Sequence, residues 1–214
     1  MTERKFSLAI LISGNGSNLQ TIIDRCADGR ITATIYCVIS NEADAYGLQR
    51  ARRAGIPTHI LPHTACSDRS LYDAKLANLL DGYQVDLIVL AGFMRILGDK
   101  FINKYPQRII NLHPSLLPKY KGLDTHARVL KAGDRMHGAS VHFVTPELDS
   151  GPVIAQASVP VETGDTEETL RQKVSRLEHQ VLPRVVDWFA HGRLNLVDNQ
   201  VLLDGRIIEQ PAQS

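Results

Sequence analysis

Asn111 and His113 stand two apart in the stretch Ile109-Ile-Asn-Leu-His-Pro-Ser-Leu-Leu-Pro118, at the end of a run of branched aliphatic residues. In an extended chain, residues two apart leave the same face, so a carboxamide and an imidazole are presented side by side. Such a pair suits one task well, the stabilisation of the oxyanion that forms when a nucleophile attacks a carbonyl carbon. An imidazolium is the stronger donor, and with an ordinary pKa of about 6.5 a histidine needs a neighbouring anion to stay protonated near neutrality. Asp149, in Thr145-Pro-Glu-Leu-Asp-Ser-Gly-Pro152, is the candidate anion, carried on a Gly- and Pro-containing loop that can return it to the sheet edge. Taken alone, an Asn and a His at a strand end more often form a turn or serve a structural role. The chain shows no GxSxG, no Cys beside the His and no HExxH, so any nucleophile is expected to come from a substrate.

A second candidate is Ser13-Gly14-Asn15-Gly16-Ser17-Asn18. It separates an apolar run from a helical pattern, and the N-terminus of a helix offers free N–H groups and a favourable dipole to an anion. Glycines let the backbone approach a phosphate closely, while Ser17 and Asn18 supply side-chain donors or a cap. The loop is neither GxGxxG nor GxxxxGK[ST], which argues against dinucleotide and ATP readings. A tight turn with an N-cap is the alternative.

The elements that must position these residues follow from periodicity. Phe6 to Ile12, Ala33 to Ser40, Thr58 to Leu61, Val85 to Ala91 and Arg108 to Leu112 read as strands, with helical patterns over Leu19 to Cys26, Ala45 to Ala54 and Arg69 to Tyr83. Alternation of this kind predicts an α/β fold with an open, mostly parallel twisted sheet. Asn111 and His113 then sit at the carboxyl edge of that sheet, where open α/β folds bind ligands. Ala139 to Val144 and Val153 to Val159 are joined by a loop too short for a crossover helix, which predicts an antiparallel pair. Thr166 to His191 reads as a long amphipathic helix capped by Thr166 with Thr169 and kinked at Pro183. Leu194 to Val197 and Val201 to Leu203 form a terminal hairpin, and Glu209 to Ser214 is expected to be a frayed tail.

Composition narrows the class further. The 214 residues are 43% hydrophobic and 22% charged, ordinary values for a globular chain, and the formal charge of +1 gives no reason to expect nucleic acid or an anionic membrane as partner. No run is long enough for a membrane span, and the N-terminus lacks the features of a secretory leader. Cys26, Cys37 and Cys66 are odd in number and have neither CxxC nor zinc-site spacing, so no disulfide framework or metal is expected and a reducing cytoplasm fits. Without repeats or linkers, one domain is expected over residues 1–214, and small molecules as ligands.

Four ordered motifs sharpen this reading: GNGSN at Gly14 to Asn18, Leu90-Ala-Gly-Phe-Met-Arg-Ile-Leu97, Asn111-Leu-His-Pro-Ser-Leu-Leu-Pro118, and His137-Gly-Ala-Ser-Val-His142 with Leu148-Asp-Ser-Gly-Pro-Val153. Together, over residues 6 to 205, they resemble the folate-dependent phosphoribosylglycinamide formyltransferase family. The Asn-x-His-x-Ser-x-Leu-Pro pattern alone marks the wider formyltransferase superfamily. The resemblance implies a Rossmann-like formyltransferase fold, with residues 1–111 forming a mostly parallel nucleotide-binding half and 112–205 a folate-loop and C-terminal half. It implies formyl transfer from 10-formyltetrahydrofolate, as cosubstrate and without a metal, to the amine of glycinamide ribonucleotide in purine biosynthesis, by a monomer or homodimer.

By position, Asn111, His113 and Asp149 would be catalytic, with Asn111 and protonated His113 on the oxyanion and Asp149 keeping His113 charged and positioning a water. Gly16, Ser17 and Asn18 would hold the phosphate, and Glu178, otherwise an exposed helix acid, the ribose or glycinamide end. Arg69 and the backbone of Met94, Arg95, Ile96 and Leu97 would line the folate pocket, closed by the Thr145 to Asp149 loop. Lys119 is a lesser candidate for the phosphate or folate tail. Two departures from the family pattern stand out: Tyr120-Lys121-Gly122 where relatives commonly have Tyr-Pro-Gly, and Asp149-Ser150-Gly151 where they have Asp-Gly-Gly, which predicts a stiffer closing loop. A formyltetrahydrofolate hydrolase and a methionyl-tRNA formyltransferase share the Asn/His/Asp set; the first is expected to carry an N-terminal regulatory domain and the second a basic C-terminal domain. A non-catalytic nucleotide-binding module would leave the three residues unexplained.

Overall fold

The structure is a computed structural model of the chain and describes residues 5–208 and 212–213. Strand β1 (Phe6–Ile12) lies at the centre of a parallel array, flanked on one side by β2 (Ala33–Ser40) and β3 (Thr58–Ile60) and on the other by β4 (Leu87–Leu90) and β5 (Ile109–His113). Burial on both faces explains its unbroken apolar run. Leu8, Ile10 and Ile12 enter the core under helices α1 (Ser17–Ala27) and α6 (Glu167–Ala190), while Ala9 and Leu11 enter the opposite core with Tyr72, Leu76 and Leu80 of α3 (Arg69–Asp81). The neighbours of β1 are β2 and β4, so the order of strands reverses there. A crevice at the carboxyl edge is expected at that point.

Beyond β5 the sheet continues antiparallel: β6 (Met136–Phe143) pairs with β5 across a long connection, and β7 (Val153–Pro160) pairs with β6 as their short connection requires. The cross-strand register sets Asn111 opposite His142 and His113 opposite Ser140. Three short helices complete the array. The first, α2 (Tyr46–Arg53), matches the sequence pattern, whereas α4 (Asp99–Lys104) and α5 (Thr125–Ala132) fall in stretches where no helix is read from the sequence. The six residues of α4 are too few for an apolar stripe, and α5 buries only Thr125 and Val129.

Helix α6 opens with the expected capping box, Thr169 N–H donating to Thr166 Oγ1 and Thr166 N–H to Thr169 Oγ1. It runs unbroken past Pro183. Proline has no N–H for the carbonyl four positions earlier, which is His179; Arg25 of α1 donates to that carbonyl at 3.2 Å. The orphaned acceptor is thereby satisfied from the neighbouring helix, and the same bond ties α1 to α6.

The C-terminal strands β8 (Leu194–Val197), β9 (Gln200–Leu203) and β10 (Arg206–Ile207) form a separate antiparallel sheet. Asp198 and Asn199 both have positive φ, 49° and 64°, as a two-residue turn of the primed type requires. The expectation of a frayed tail over 209–214 needs correction at one point. Ala212–Gln213 forms β11, which adds to the main sheet parallel to β7, opposite Ala155 and Gln156. The rest of that tail lies outside the described residues. Edge strand β7 otherwise presents unpaired backbone groups, and pairing satisfies them.

Candidate active site

Strand β5 delivers Asn111 and His113 to one wall of a cavity of about 610 Å³, and the β6–β7 loop brings Asp149 to the same wall. Asp149 holds a positive φ of 48°, a conformation that aspartate tolerates better than most residues. The carboxylate is gripped from several sides. Gly122 N–H donates to Oδ2 at 2.9 Å, Asn111 Nδ2 lies 3.4 Å from Oδ1, and the imidazoles of His113 and His142 lie 3.4 and 3.6 Å away. Burial raises the carboxyl's pKa, but the hydrogen bonds and imidazoles together outweigh it, so Asp149 stays below the ordinary carboxylate range and ionised near neutrality.

His113 is nearly enclosed, and its Nε2 lies 2.8 Å from the carbonyl oxygen of Tyr120. A carbonyl only accepts, so Nε2 carries hydrogen and Nδ1 is the nitrogen facing Asp149. Burial is the largest influence on this imidazole and lowers its pKa; the Tyr120 carbonyl and Asp149 push it back up only in part. Burial thus works against the expectation that Asp149 keeps His113 charged: the enclosed imidazole holds a second proton less readily than a free one, although an anion stands beside Nδ1.

His142 completes the cluster. Its Nδ1 donates to the Phe143 carbonyl at 2.8 Å, and its Nε2 lies 3.1 Å from Asn111 Nδ2 and 3.6 Å from Asp149 Oδ1. The Asn111 amide nitrogen thus faces two protein partners, His142 and Asp149. His142 and the strap Tyr120-Lys121-Gly122 appear in the sequence only as the end of a motif and as a departure from the family pattern, with no site role attached. The signal for His142 is its place on the strand pairing with β5, but register is a tertiary quantity.

Two further stretches shape the cavity. Gly92 to Leu97, following β4, forms one wall together with Leu123, Val144 and Leu148. Met94, Ile96, Leu123 and Leu148 are large apolar side chains left exposed at this rim, the pattern of a surface that an apolar ligand covers. Met94, Arg95, Ile96 and Leu97 line this cavity, as do Thr145, Pro146, Leu148 and Asp149 of the β6–β7 loop. Arg69 is not part of this wall: it sits exposed at the start of α3 with its stem against Gly98. Gly98 N–H donates to the buried Asp73 carboxylate at 2.8 Å, which anchors the far end of the wall. The two departures from the family pattern meet here, since Lys121 Nζ hydrogen-bonds Ser150 Oγ and lies 3.5 Å from Glu147 Oε1. Lys121 thereby joins the Tyr120–Gly122 segment to the β6–β7 loop through side-chain contacts.

On the same sheet edge, Gly16 is the N-cap of α1 with φ of 72°, and Ser17 and Asn18 form its first turn. Asn18 Nδ2 donates to Glu178 Oε2 at 3.0 Å, while Asn18 Oδ1 is buried without a hydrogen-bond partner. Glu178 is therefore not the exposed helix acid of the sequence reading. It is half-buried, and desolvation raises its pKa more than the Asn18 bond lowers it. The loop is joined to the cavity wall through Ser13, whose N–H donates to the Gly92 carbonyl at 3.0 Å and whose Oγ accepts from Met94 N–H at 2.7 Å. Lys119 lies away from the cavity and pairs with Asp134 at 2.8 Å.

Comparison with known proteins follows the same lines. The family model described as formyl transferase matches residues 6–186. The chain is 54% identical to the phosphoribosylglycinamide formyltransferase of Escherichia coli (strain K12) over 94% of each sequence. It is 42% identical to the trifunctional purine biosynthetic protein adenosine-3 of Bos taurus, over 92% of this chain and 19% of that one. The solved phosphoribosylglycinamide formyltransferase of Coxiella burnetii, in complex with CHES, superimposes with a TM-score of 0.94 at 51% identity, covering 98% of this chain and 99% of that one. On fold, motifs and these matches together, the chain belongs to the formyl transferase family, among the phosphoribosylglycinamide formyltransferases.

Proposed function

We propose that this chain transfers the formyl group of 10-formyltetrahydrofolate to the amine of glycinamide ribonucleotide, a step of purine biosynthesis. The observation that carries the reading is the convergence of Asn111, His113 and Asp149 on one wall of an apolar-rimmed cavity, with a phosphate-type loop on the same sheet edge. The cavity suits a flat heteroaromatic donor: its volume of about 610 Å³ falls in the usual range for small-molecule sites, and the Gly92 to Leu97 wall offers backbone polar groups beside exposed apolar side chains. Leu97, Arg95, Ile96 and Met94 would hold the donor. Gly16, Ser17, Asn18 and Glu178 would hold the acceptor, its phosphate at the α1 N-terminus.

When bound, the donor supplies an activated formyl carbon. Asn111 is placed to donate to the formyl oxygen as that atom gains negative charge, giving up its 3.4 Å contact with Asp149 to do so. Transfer forms one C–N bond and breaks another, so one proton leaves the attacking amine and one arrives at the departing nitrogen. His113 Nδ1 is the free basic position for that proton, and Asp149, 3.4 Å away, stabilises the imidazolium while it is held. The Tyr120 carbonyl keeps Nε2 protonated throughout, so a single nitrogen both receives and returns the proton.

The test is an absorbance assay for the folate product, run with and without glycinamide ribonucleotide. Product is expected only with the ribonucleotide; product at the same rate without it would identify a hydrolase instead.

A further inference from the structure

Helix α2 takes no part in the site as described, yet its first two turns are pressed against the glycine loop. Gly47 N–H donates to the Gly14 carbonyl at 3.0 Å. The backbones of Gly16 and Gly47 touch so closely that a Cβ on Gly16 would stand 2.6 Å from Gly47 Cα, and one on Gly47 would stand 3.2 Å from Gly16 Cα. One turn further on, Arg50 grips Asn15 in two places, Nε donating to its carbonyl at 2.9 Å and Nη2 to its side-chain oxygen at 3.0 Å. Nη1 reaches Gln20 Oε1 of α1 at 3.3 Å. The guanidinium in turn lies over the ring of Tyr46, 4.8 Å from its centroid.

Asn15 precedes the left-handed Gly16, and the direction of the N–H groups at the head of α1 depends on the peptides that enter that turn. Nothing on α1 itself fixes Asn15: the N-cap is a glycine, and no side-chain cap bond is made. A planar fork holding both the carbonyl and the side chain of one residue restrains orientation as well as position.

From this geometry we infer that Arg50 is a positioning residue for the phosphate of the acceptor: its fork on Asn15 holds the Asn15–Gly16 turn in the shape that aims the α1 N–H groups at the anion, with Gly47 as the surface against which the turn is moulded. The inference rests on the phosphate-loop reading above and names a residue outside the loop on which that loop depends. Arg50 acts through Asn15 and is not assigned a contact with substrate.

The experiment compares the wild type, Arg50→Met and Arg50→Lys with two acceptors, glycinamide ribonucleotide and the same compound lacking its phosphate. Loss of a charge-assisted fork is expected to raise KM for the ribonucleotide on the order of tenfold or more. KM for the formyl donor and kcat should stay within about twofold, since the catalytic wall is untouched. With the phosphate-free acceptor, both variants should match the wild type. Lysine keeps the charge but cannot form the fork, so Arg50→Lys should remain close to Arg50→Met. Full rescue by lysine would overturn the proposal in favour of charge alone, and an equal loss with both acceptors would reduce Arg50 to a general structural role. A wild type that uses both acceptors equally would overturn the phosphate-loop reading itself, an outcome distinct from a failure confined to Arg50.

Discussion

The carbonyl oxygen of Tyr120 accepts the Nε2 proton of His113 at 2.8 Å, and this contact turns Nδ1 toward Asp149. Tyr120 holds a left-handed conformation, φ 56°, with its hydroxyl donating to Asp134 at 2.9 Å. Two residues on, Gly122 N–H donates to Asp149. One segment therefore orients the His113 ring and the neighbouring carboxylate together.

Removal of any member of the Asn111, His113, Asp149 set is expected to cripple turnover without unfolding the chain. Asn111→Ala, His113→Ala and Asp149→Asn should each lower kcat by on the order of a hundred- to a thousandfold, the scale of a lost oxyanion donor. Steady-state kinetics alongside thermal melts check this, and near-normal rates in all three would remove the proposed mechanism.

The protonation state of His113 is testable directly. Because burial depresses its pKa, the folded chain should show this imidazole neutral at pH 7 and titrating below the ordinary value of about 6.5. Histidine NMR titration, with the resonance assigned by its loss in His113→Asn, measures it. A midpoint above 6.5 would restore a resting imidazolium and contradict the proton-accepting role.

Gly16 combines a positive φ with the close approach to Gly47. Gly16→Val should therefore distort the loop, both because β-branched residues are strained in that conformation and because its Cβ has no room. Binding of glycinamide ribonucleotide should weaken far more than binding of the folate donor, as measured by calorimetry with each ligand separately. The opposite pattern would move the phosphate site elsewhere.

Stability should fall with acid in a histidine window. His137 and His126 meet at 3.0 Å in the interior, and burial lowers both, His137 to about 4, with the neighbouring imidazole adding to the effect on His137. A depressed folded pKa means that the unfolded chain binds the proton first. The contribution is complete above about 6.5 and is lost as pH falls through the folded value, amounting to about 3 kcal/mol for His137. Urea midpoints at pH 7.5 and pH 4.5 should differ clearly in the wild type and less in His137→Gln, and equal slopes for the two proteins would refute the assignment.

The bond from Arg25 to the His179 carbonyl makes a separate claim on stability. Arg25→Met leaves that carbonyl without the partner Pro183 cannot supply, at a cost of about 1–3 kcal/mol. Adding Pro183→Ala, which restores a helical N–H, should recover part of the loss; no recovery in the double variant would show that the two residues act independently.

Much of this molecule is legible in the linear chain. The split of β1 between two cores shows as a continuous aliphatic run, the antiparallel β6–β7 pair as a connection too short for a helix, and the terminal hairpin as Asp198-Asn199-Gln200 between two short strand patterns. The helices α4 and α5 are not legible, because six residues give α4 no room for periodicity and α5 buries only Thr125 and Val129. Nor is the burial of Glu178, which depends on α1 lying across α6.

Residue types and spacing determined the chemistry on offer: an amide and an imidazole on one strand face, a carboxylate on a return loop, and glycines at the head of a helix. Tertiary structure alone decided how those groups are arranged. The register of β6 against β5 set His142 on Asn111, the Tyr120 carbonyl oriented the His113 ring, and enclosure lowers that imidazole's pKa although an aspartate stands beside it. The physical reason is that desolvation and hydrogen-bond direction depend on everything packed around a group, and most of what surrounds His113 comes from distant parts of the chain.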